Sequence, residues 1–468
     1  MSAPPVDGRT WRSDCAAAVD EGLRFATLYA TRTEGVPVVR AVFTTGAQVR
    51  VLSAEAAGDE LPTLVDLVPA AVWDEREAHD LYGVRFAGHH PLRPLIHHDA
   101  DLTAWTVPVD GDGPHQVAVG PIHAGVIESG HFRFHVVGER ILHLDVRLFY
   151  NHRGLEPAAE GSSLPDGLAF AQRACAAGNV ANSVAYAQAA EMALGLEPNR
   201  ELAVIRTVLL ELERVYNHLG DIGAVCAGIG FAPGAMAFAA LKERAHRLNA
   251  RIGGHRFLFG TIGVGHSPLR IPAETAAAAR SELAGLRTAA RRTWREVLFN
   301  TAAQARFRGV GVLDAPAALR LGTVGPAVRA AGVDRDQRSH SPRLAYESFK
   351  PAAAPEPTGD VAARVEIRAV ELDASFGILD GLLAHDLHEA TADPRKSPNP
   401  IGVGIVEGPR GETVCVIEAL GETLGRLHLR TASYANWPAV VHAATGELLP
   451  DFPLINKSFE LCYACNDR

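Results

Sequence analysis

Two cysteines near the end of the sequence, Cys462 and Cys465, have a spacing that suits metal binding or redox chemistry. Thiolates in a C-x-x-C pair can converge on one soft or borderline metal ion from a single turn. One such pair cannot complete a metal site, and Cys175 is the other cysteine that lies in a polar, helix-forming segment. On spacing alone, metal ligation by Cys462 and Cys465 competes with a redox dithiol and with a chance pair.

The N-terminal sequence, the other cysteines and the net charge limit which cellular compartment and which partners we expect. The N-terminus has no basic region followed by an apolar stretch, so nothing directs export and we expect a cytoplasmic protein with reduced thiols. The isolated Cys15, Cys226 and Cys415 are therefore predicted to be small buried apolar residues. A formal net charge of -9 gives no reason to expect nucleic acid as a partner.

The elements that must position these residues fall into two parts. Residues 1–108 begin with a helix and β-rich segments and predict a small α/β domain. A turn-rich break at Asp110–Pro114 marks the linker, for which we take residues 109–119. Residues 120–468 predict a mainly helical domain with two short β-hairpins, so the fold class of the whole chain is α+β. One hairpin is predicted by alternation around Val137–Glu139, and the other pairs Val414–Ile417 with Arg426–Leu429.

Helical periodicity dominates the second part. Glu201 to Leu219 carries an apolar stripe at i, i+3, i+4 spacing, and Glu274 to Val297 and Asp360 to His385 are also periodic. The long uncharged run between Asp221 and Lys242 is interrupted by glycines and a proline, which favours a buried helix-loop-helix over a membrane span.

Several blocks of the sequence resemble the large subunit of membrane-bound group 4 (energy-converting) nickel-iron hydrogenases of the formate hydrogenlyase type, which is related to the 49 kDa subunit of complex I. In chain order, the blocks that carry the resemblance are Gly120–Phe134, Tyr150–Glu156, Leu209–Leu219, Val406–Glu412 and Asp451–Arg468. The resemblance implies that residues 120–468 form a hydrogenase large-subunit-like domain.

The N-terminal part resembles a different subunit, the 30 kDa subunit of the complex I peripheral arm. The residues that carry this resemblance are Trp73–Gly83 and Gly88–Arg93. It implies a role in assembly rather than catalysis. Without it, four consecutive charged residues would be a solvated run, and we expect most of their side chains to be exposed: Asp74, Glu75, Arg76 and Glu77.

In the hydrogenase family two C-x-x-C pairs supply four thiolates to nickel, and the second cysteine of each pair also bridges to an iron that carries carbon monoxide and cyanide. The resemblance implies that Cys175 and Cys462 are terminal nickel ligands and that Cys465 is a bridge. The fourth ligand falls on Gly178, so one of the two protein bridges to iron is missing. Two histidines that lie beside the ligands in the family fall on Asn182 and Cys415.

Two further residues match family positions in the active site. Glu156 matches a glutamate that relays protons from a terminal cysteine, and Arg410 matches an arginine over the open metal position. An ordinary ion pair is the alternative for each. We predict that the three cysteines converge and that Glu156 and Arg410 line the same buried cavity.

The resemblance implies an oxidoreductase that interconverts hydrogen and protons at a nickel-iron centre with one ligand missing. Electrons would pass through a complex I-type iron-sulfur small subunit, since no iron-sulfur cluster is expected within this chain. Further implied partners are membrane-arm subunits and a formate dehydrogenase or other electron donor, at the cytoplasmic face of the inner membrane. The alternatives are a quinone- or NADH-dehydrogenase-like subunit that has lost hydrogen chemistry, and a non-catalytic scaffold, which the retained cysteines disfavour.

Two further expectations concern cofactors. Gly402–Gly408 has the wrong spacing for a dinucleotide fingerprint and predicts a strand and turn. In the family a protease removes a C-terminal extension a few residues past the last cysteine, and this sequence ends three residues beyond Cys465, at Arg468. If the gene product ends there, we expect no proteolytic checkpoint. Together with the missing thiolate at Gly178, this predicts weak or absent binding of the full nickel-iron centre, with the pocket otherwise preserved.

Overall fold

A computed structural model describes residues 5–46, 48–97, 105–111, 113–123, 128–340, 343–347, 356–394 and 397–468. Two of the predictions fall partly outside the described residues: the block Gly120–Phe134 at residues 124–127, and the linker at residue 112. The chain is α+β, as the sequence predicts.

The N-terminal part is built on a small antiparallel sheet. Its helices are α1 (Gly8–Asp20) and α2 (Val72–Tyr82), and its strands are β1 (Arg24–Thr33), β2 (Val36–Thr44), β3 (Val49–Glu55), β4 (Glu60–Pro62) and β5 (Arg85–Ala87). The strand order is β1-β2-β3, and β4 pairs with β5 in parallel. Helix α1 begins where the Asp7 side chain accepts hydrogen bonds from the amides of Arg9 and Thr10, which are otherwise without partners at a helix start. Helix α1 packs on one face of the sheet through the buried Trp11.

Helix α2 shows that the expectation of an exposed charged run is wrong. Its four consecutive charged residues are at most 7% exposed: Asp74, Glu75, Arg76 and Glu77. A buried charge is tolerated only when it is paired or hydrogen-bonded, and each of these four residues has such a partner. Asp74 pairs with Arg430 at 3.1 Å and Glu77 with Arg468 at 2.7 Å. The run therefore joins the N-terminal part to the rest of the molecule.

The remaining helices and strands follow in chain order. The helices are α3 (Leu155–Ala159), α4 (Leu168–Arg173), α5 (Asn179–Leu194), α6 (Arg200–Gly228), α7 (Ala232–Gly253), α8 (Ala273–Leu298), α9 (Thr301–Phe307), α10 (Ala315–Arg320), α11 (Pro326–Ala330), α12 (Val361–Leu382), α13 (Ala432–Ala444) and α14 (Phe452–Phe459). The strands are β6 (His115–Val119), β7 (His131–Val137), β8 (Arg140–Arg147), β9 (Leu196–Pro198), β10 (His266–Ser267), β11 (Ala390–Pro394), β12 (Ile401–Gly408), β13 (Gly411–Leu420) and β14 (Thr423–Arg430). Two antiparallel sheets, β6-β7-β8 and β12-β13-β14, contain the two predicted hairpins.

Helices α6 and α7 form the helix-loop-helix that the sequence predicts. The Asn199 side chain accepts from the Leu202 amide and starts α6, and a short break after Gly228 separates it from α7. Among the described residues, no helix is both long and apolar enough to cross a membrane.

The glycine-rich strand β12 lies directly against helix α5. A Cβ atom at Gly402 or Gly404 would come within 1.9 Å of the carbonyl oxygen of Ala189 or Ala185, respectively. These glycines therefore permit a close approach of strand and helix backbones, which is a packing requirement and not a nucleotide fingerprint. The predicted strand and turn is confirmed.

The sheets β1-β2-β3 and β12-β13-β14 also pack against each other. A buried apolar cluster between them contains Tyr29 and Val42 from the first sheet and Val403 and Val416 from the second. At its edge Arg40 pairs with Glu418 at 2.7 Å, with both side chains less than a fifth exposed. The division into residues 1–108, 109–119 and 120–468 stays a prediction.

Candidate metal centre

The structure brings Cys175 together with Cys462 and Cys465, although almost the whole second part of the chain separates them in sequence. The three sulfur atoms lie within 4.8 Å of one another, and the Sγ atoms of Cys175 and Cys462 are 3.2 Å apart. Cys175 and Cys465 are buried, and Cys462 is partly exposed. Three sulfurs at such distances can all reach one ion, since thiolate-metal bonds are about 2.3 Å long.

Helix α6 holds the turn that carries Cys175. The Tyr216 hydroxyl donates to the carbonyl of Ala176 at 3.3 Å, and the side-chain amide of Asn217 donates to the carbonyl of Ala177 at 2.9 Å. The Glu213 carboxylate, which also lies on α6, accepts the amides of Val180 and Ala181 at the start of helix α5. Burial raises the pKa of Glu213 to about 8. Side chains of the family block Leu209–Leu219 therefore hold the backbone around Cys175 in place through hydrogen bonds.

The C-terminal pair is held by helix α13 and by its own turn. The Cys462 amide donates to Ser433 Oγ at 2.9 Å, and Thr431 Oγ1 donates to the Cys465 carbonyl at 3.3 Å. The Asn466 side-chain amide closes the turn by donating from Nδ2 to the Cys462 carbonyl at 2.9 Å. These bonds fix the backbone on both sides of the two thiols.

The three thiols share their protons unequally. Hydrogen bonds donated by Cys462 and by Cys465 lower the pKa of Cys175 well below its usual value, and the nearby Arg410 lowers it further. Donation to Cys175 raises the pKa of Cys462 to about 12 and that of Cys465 well above its usual range. Hydrogen bonding among the three thiols therefore favours one thiolate within the cluster, and a thiolate is the form of cysteine that binds a metal cation.

The position of the missing fourth ligand, Gly178, has room for a side chain. A Cβ atom there would meet only the two amide atoms of Asn182, at 3.8 and 3.9 Å, and the glycine has an ordinary negative φ of -122°. Gly178, Asn182, Arg410 and Cys465 line a small cavity of about 20 Å³. The buried Asn182 Nδ2 has no hydrogen-bond partner among the described residues. The donor set fits one thiophilic ion held by three thiolates, but it lacks the fourth thiolate that the resemblance implies for a nickel-iron centre.

Arg410 reaches this cavity because it sits at the tip of a tight turn. Gly408 pairs with Gly411 across strands β12 and β13, which leaves Pro409 and Arg410 as a two-residue turn. The turn packs on Gly325, where a Cβ atom would come within 2.3 Å of the Arg410 carbonyl oxygen. Arg214 donates from helix α6 to the carbonyl of Gly408 at 3.0 Å and fixes the strand end.

The Arg410 guanidinium lies beside Asp221, with 3.4 Å between the two side chains. Burial alone would lower the pKa of Arg410, but Asp221, Cys462 and Cys175 raise it overall. Its Nε has no hydrogen-bond partner among the described residues. The site therefore keeps a permanent positive charge with a donor still available.

Glu156 is buried, but it does not open to the cavity of Arg410, so the expectation of one shared cavity is wrong. It lines a second cavity of about 190 Å³ with His152, Arg426 and Arg468. Arg468 lies 2.7 Å and Arg426 3.0 Å from its carboxylate. Burial alone would raise the pKa of Glu156, but these arginines lower it well below its usual value. A carboxylate held so firmly in its charged form is a poor proton carrier at neutral pH.

Sequence reasoning missed Asp221, Glu77 and Arg468 as parts of the site's surroundings. Asp221 follows the family block Leu209–Leu219 by two positions, and a helical period would have placed it on the face of Asn217. Glu77, Glu156 and His428 also come close enough to resemble a metal site, but the Arg468 guanidinium bonds both carboxylates. Cys415 is fully buried in β13, as predicted for an isolated cysteine.

Comparison with known proteins assigns both parts of the chain. A family model described as the 49 Kd subunit of respiratory-chain NADH dehydrogenase matches residues 228–399 and 383–468. A second model, described as the 30 Kd subunit of the same enzyme, matches residues 9–112.

Among curated proteins, the chain is 31% identical to hydrogenase-4 component G of Escherichia coli K12 over 443 residues, covering 88% of this chain and 77% of that protein. It is 30% identical to formate hydrogenlyase subunit 5 of the same organism over 442 residues, covering 87% of this chain and 77% of that protein. Among solved structures, a chain of the membrane-bound sulfane sulfur reductase, an archaeal respiratory membrane complex, superposes with a TM-score of 0.70. That match has 25% identity and covers 77% of this chain and all of the other.

Proposed function

Because this chain belongs to the family that unites the 49 kDa subunit of respiratory-chain NADH dehydrogenase with formate hydrogenlyase-type hydrogenase subunits, we propose that it is the hydrogenase-like large subunit of a membrane-associated redox complex. It is an oxidoreductase-type subunit. The finer proposal is that its three-thiol site holds a nickel-bearing centre for the interconversion of hydrogen and protons.

The observation that carries this proposal is the convergence of Cys175, Cys462 and Cys465 beside Arg410. These three cysteines would hold the metal. Nickel and iron, when bound, would supply the centre at which hydrogen is formed or split. Arg410 would contribute a fixed positive charge, because a guanidinium does not lose its proton near neutral pH.

Two observations favour a second candidate function, which is quinone- or NADH-dehydrogenase-like electron transfer without hydrogen chemistry. Gly178 offers no thiolate, so the chain supplies three of the four thiolates that the resemblance implies for a nickel-iron centre. Glu156 is bonded by two arginines and by the Leu429 amide at 2.8 Å, which opposes the proton relay implied by the resemblance. An NADH-quinone oxidoreductase protein of Phocaeicola vulgatus is also a relative, at 28% identity over 408 residues.

We further propose that the chain works within a multisubunit complex at the cytoplasmic face of the inner membrane. Its partners would be an iron-sulfur small subunit of the complex I type and membrane-arm subunits, with formate dehydrogenase or another enzyme as the electron donor. The names of the hydrogenase, formate hydrogenlyase and sulfane sulfur reductase relatives support such an assembly.

Metal content and hydrogen turnover test the two candidates together. The assembled complex is purified, nickel and iron are measured per large subunit, and hydrogen evolution from reduced viologen is assayed. Wild-type protein is compared with Gly178→Cys, which restores the fourth thiol in available space, and with Gly178→Ala, which fills the same space without a thiol.

The first candidate predicts stoichiometric nickel in the wild type, with both iron content and hydrogen evolution rising in Gly178→Cys and not in Gly178→Ala. The second predicts a folded wild type without nickel and without hydrogen evolution. Robust wild-type turnover with a full nickel and iron complement would show that the loss of one thiolate has been overrated.

A further inference from the structure

Arg153 touches both of the turns that carry the candidate metal ligands. Its guanidinium donates to the carbonyls of Arg173 at 2.9 Å and Ala174 at 2.7 Å, directly before Cys175. The same guanidinium donates to the carbonyl of Ala464 at 2.9 Å, directly before Cys465. One side chain therefore joins two backbone segments that lie almost three hundred residues apart in sequence.

The backbone of Arg153 adds a fourth contact on the same side. Its amide donates to the carbonyl of Asp467 at 2.7 Å, so the C-terminal turn is held at two points. The carbonyls of Arg173 and Ala174 come at the end of helix α4, where the last carbonyls of a helix lack intrahelical partners. A guanidinium satisfies such carbonyls and also interacts favourably with the negative end of the helix.

We propose that Arg153 is a positioning residue, which holds the Cys175 turn against the C-terminal turn so that the three thiols converge. A planar guanidinium carries five donors in a fixed fork and can bond three carbonyls at once. The ammonium group of lysine keeps the charge but offers its donors from a single atom. Fork geometry, and not charge alone, is what the proposal requires.

The chain contains a matched control for charge. Arg173 lies two residues before Cys175 and is exposed, and its side chain makes no hydrogen bond or ion pair with another described residue. Arg173→Ala therefore removes a positive charge near the same turn but leaves the bonds of Arg153 in place. Arg153 is itself exposed, so its replacement opens no cavity in the core.

The proposal deepens the proposed metal centre and rests on it for its purpose, but its test needs no metal. The full chain is prepared metal-free with Cys465→Ser, so that Cys175 and Cys462 are the two converging thiols. Dibromobimane then bridges them: each thiolate displaces one bromide, the protons go to the buffer, and the doubly substituted product fluoresces. The reagent can reach Cys462, which lines a cavity of about 380 Å³.

We expect Arg153→Ala to slow formation of the Cys175–Cys462 bridge by about ten-fold or more, because three charge-assisted hydrogen bonds are lost. Arg153→Lys should recover only a small part of the rate, and Arg173→Ala should match the parent within about two-fold. Peptide mass spectrometry identifies the bridge, and alkylation reports whether the buried Cys15, Cys226 and Cys415 stay protected.

Several results would overturn the proposal. These are unchanged bridging in Arg153→Ala, full recovery in Arg153→Lys, an equal loss in Arg173→Ala, and a parent protein that forms no bridge. Loss of protection at the three buried cysteines in Arg153→Ala would show a general folding role and would also contradict it. Failure of the proposed function would instead appear as a wild-type complex purified without nickel while the metal-free parent still forms the bridge, so the two failures are distinguishable.

Discussion

Removal of the Arg468 side chain should destabilise the whole chain, because this guanidinium neutralises two buried carboxylates from different parts of the fold. It bonds Glu77 of helix α2 at 2.7 and 2.9 Å and Glu156 of helix α3 at 2.7 Å, and it is 3% exposed. In Arg468→Ala, Glu156 would keep Arg426. Glu77 would lose the partner that the structure gives it.

Breaking a buried ion pair by removing one partner costs about 3–5 kcal/mol, since the other charge stays buried and uncompensated. At about 2.1 cal/mol/K of unfolding entropy per residue, the 468-residue chain loses roughly 3–5 °C in Tm for that cost. The exposed pair Arg308–Glu356, at 2.9 Å with both side chains more than half exposed, is the control. Arg308→Ala should cost less than about 1 kcal/mol.

Thermal and denaturant unfolding of Arg468→Ala, Glu77→Gln and the double variant would measure the coupling. We expect the two single losses to sum to more than the loss of the double variant, by about 1–3 kcal/mol. Additive losses, or a cost for Arg468→Ala no larger than that of Arg308→Ala, would refute the argument that this buried pair stabilises the fold.

The same variant predicts a pH dependence. The arginines lower the pKa of Glu156 in the folded protein, so the stability it contributes is present above the unfolded value of about 4.3 and is lost as pH falls through the folded value. The Glu156 part of the difference between wild type and Arg468→Ala should therefore be full at neutral pH and shrink in acid. A difference that grew on acidification below about pH 4 would contradict this assignment.

Three further predictions concern packing and buried charge. Gly404→Ala should lower the free energy of unfolding by about 3 kcal/mol or more, because its Cβ would lie 1.9 Å from the Ala185 carbonyl oxygen. The control is Gly377→Ala in helix α12, which has no atom within 4 Å of its Cβ and should be neutral or stabilising by up to about 1 kcal/mol. Equal Tm values for the two variants would refute the close approach of strand and helix. Gly178→Ala should leave Tm within about 2 °C of the wild type, because its Cβ meets nothing closer than 3.8 Å, and a larger fall would show that the space is not available. Glu75→Gln should lower the free energy of unfolding in urea by about 1–3 kcal/mol, because Glu75 accepts hydrogen bonds from the Leu64 amide, the Thr63 hydroxyl and His89. The control is Glu60→Gln at an exposed position, and an equal loss in both variants would support the interpretation of the charged run as solvated.

Local patterns in the sequence determined most of the secondary structure. The apolar stripe from Glu201 to Leu219 predicted helix α6, since burial of one face imposes helical periodicity. Glycines and a proline predicted the break before helix α7, and alternation around Val137–Glu139 predicted the hairpin β7-β8. These signals are local, so they survive without knowledge of the partners each element meets.

The three thiols and the missing fourth ligand were also accessible from the sequence, through motif spacing and resemblance to a family. That Cys175, Cys462 and Cys465 converge is a matter of geometry that the structure supplies. Their role as metal ligands, and that of Glu156 and Arg410 in catalysis, stays a prediction.

Tertiary structure alone decided the fate of the charged side chains. Asp74 to Glu77 have the composition of a solvated run, but the fold buries all four. Arg430, which pairs with Asp74, and Arg468, which pairs with Glu77, come from the far end of the chain. The motif predicted Glu156 beside the candidate metal centre, whereas Arg426 and Arg468, which are far from it in sequence, hold it in another cavity. Composition and spacing describe neighbours in sequence, but the charge state of a buried group depends on neighbours in space.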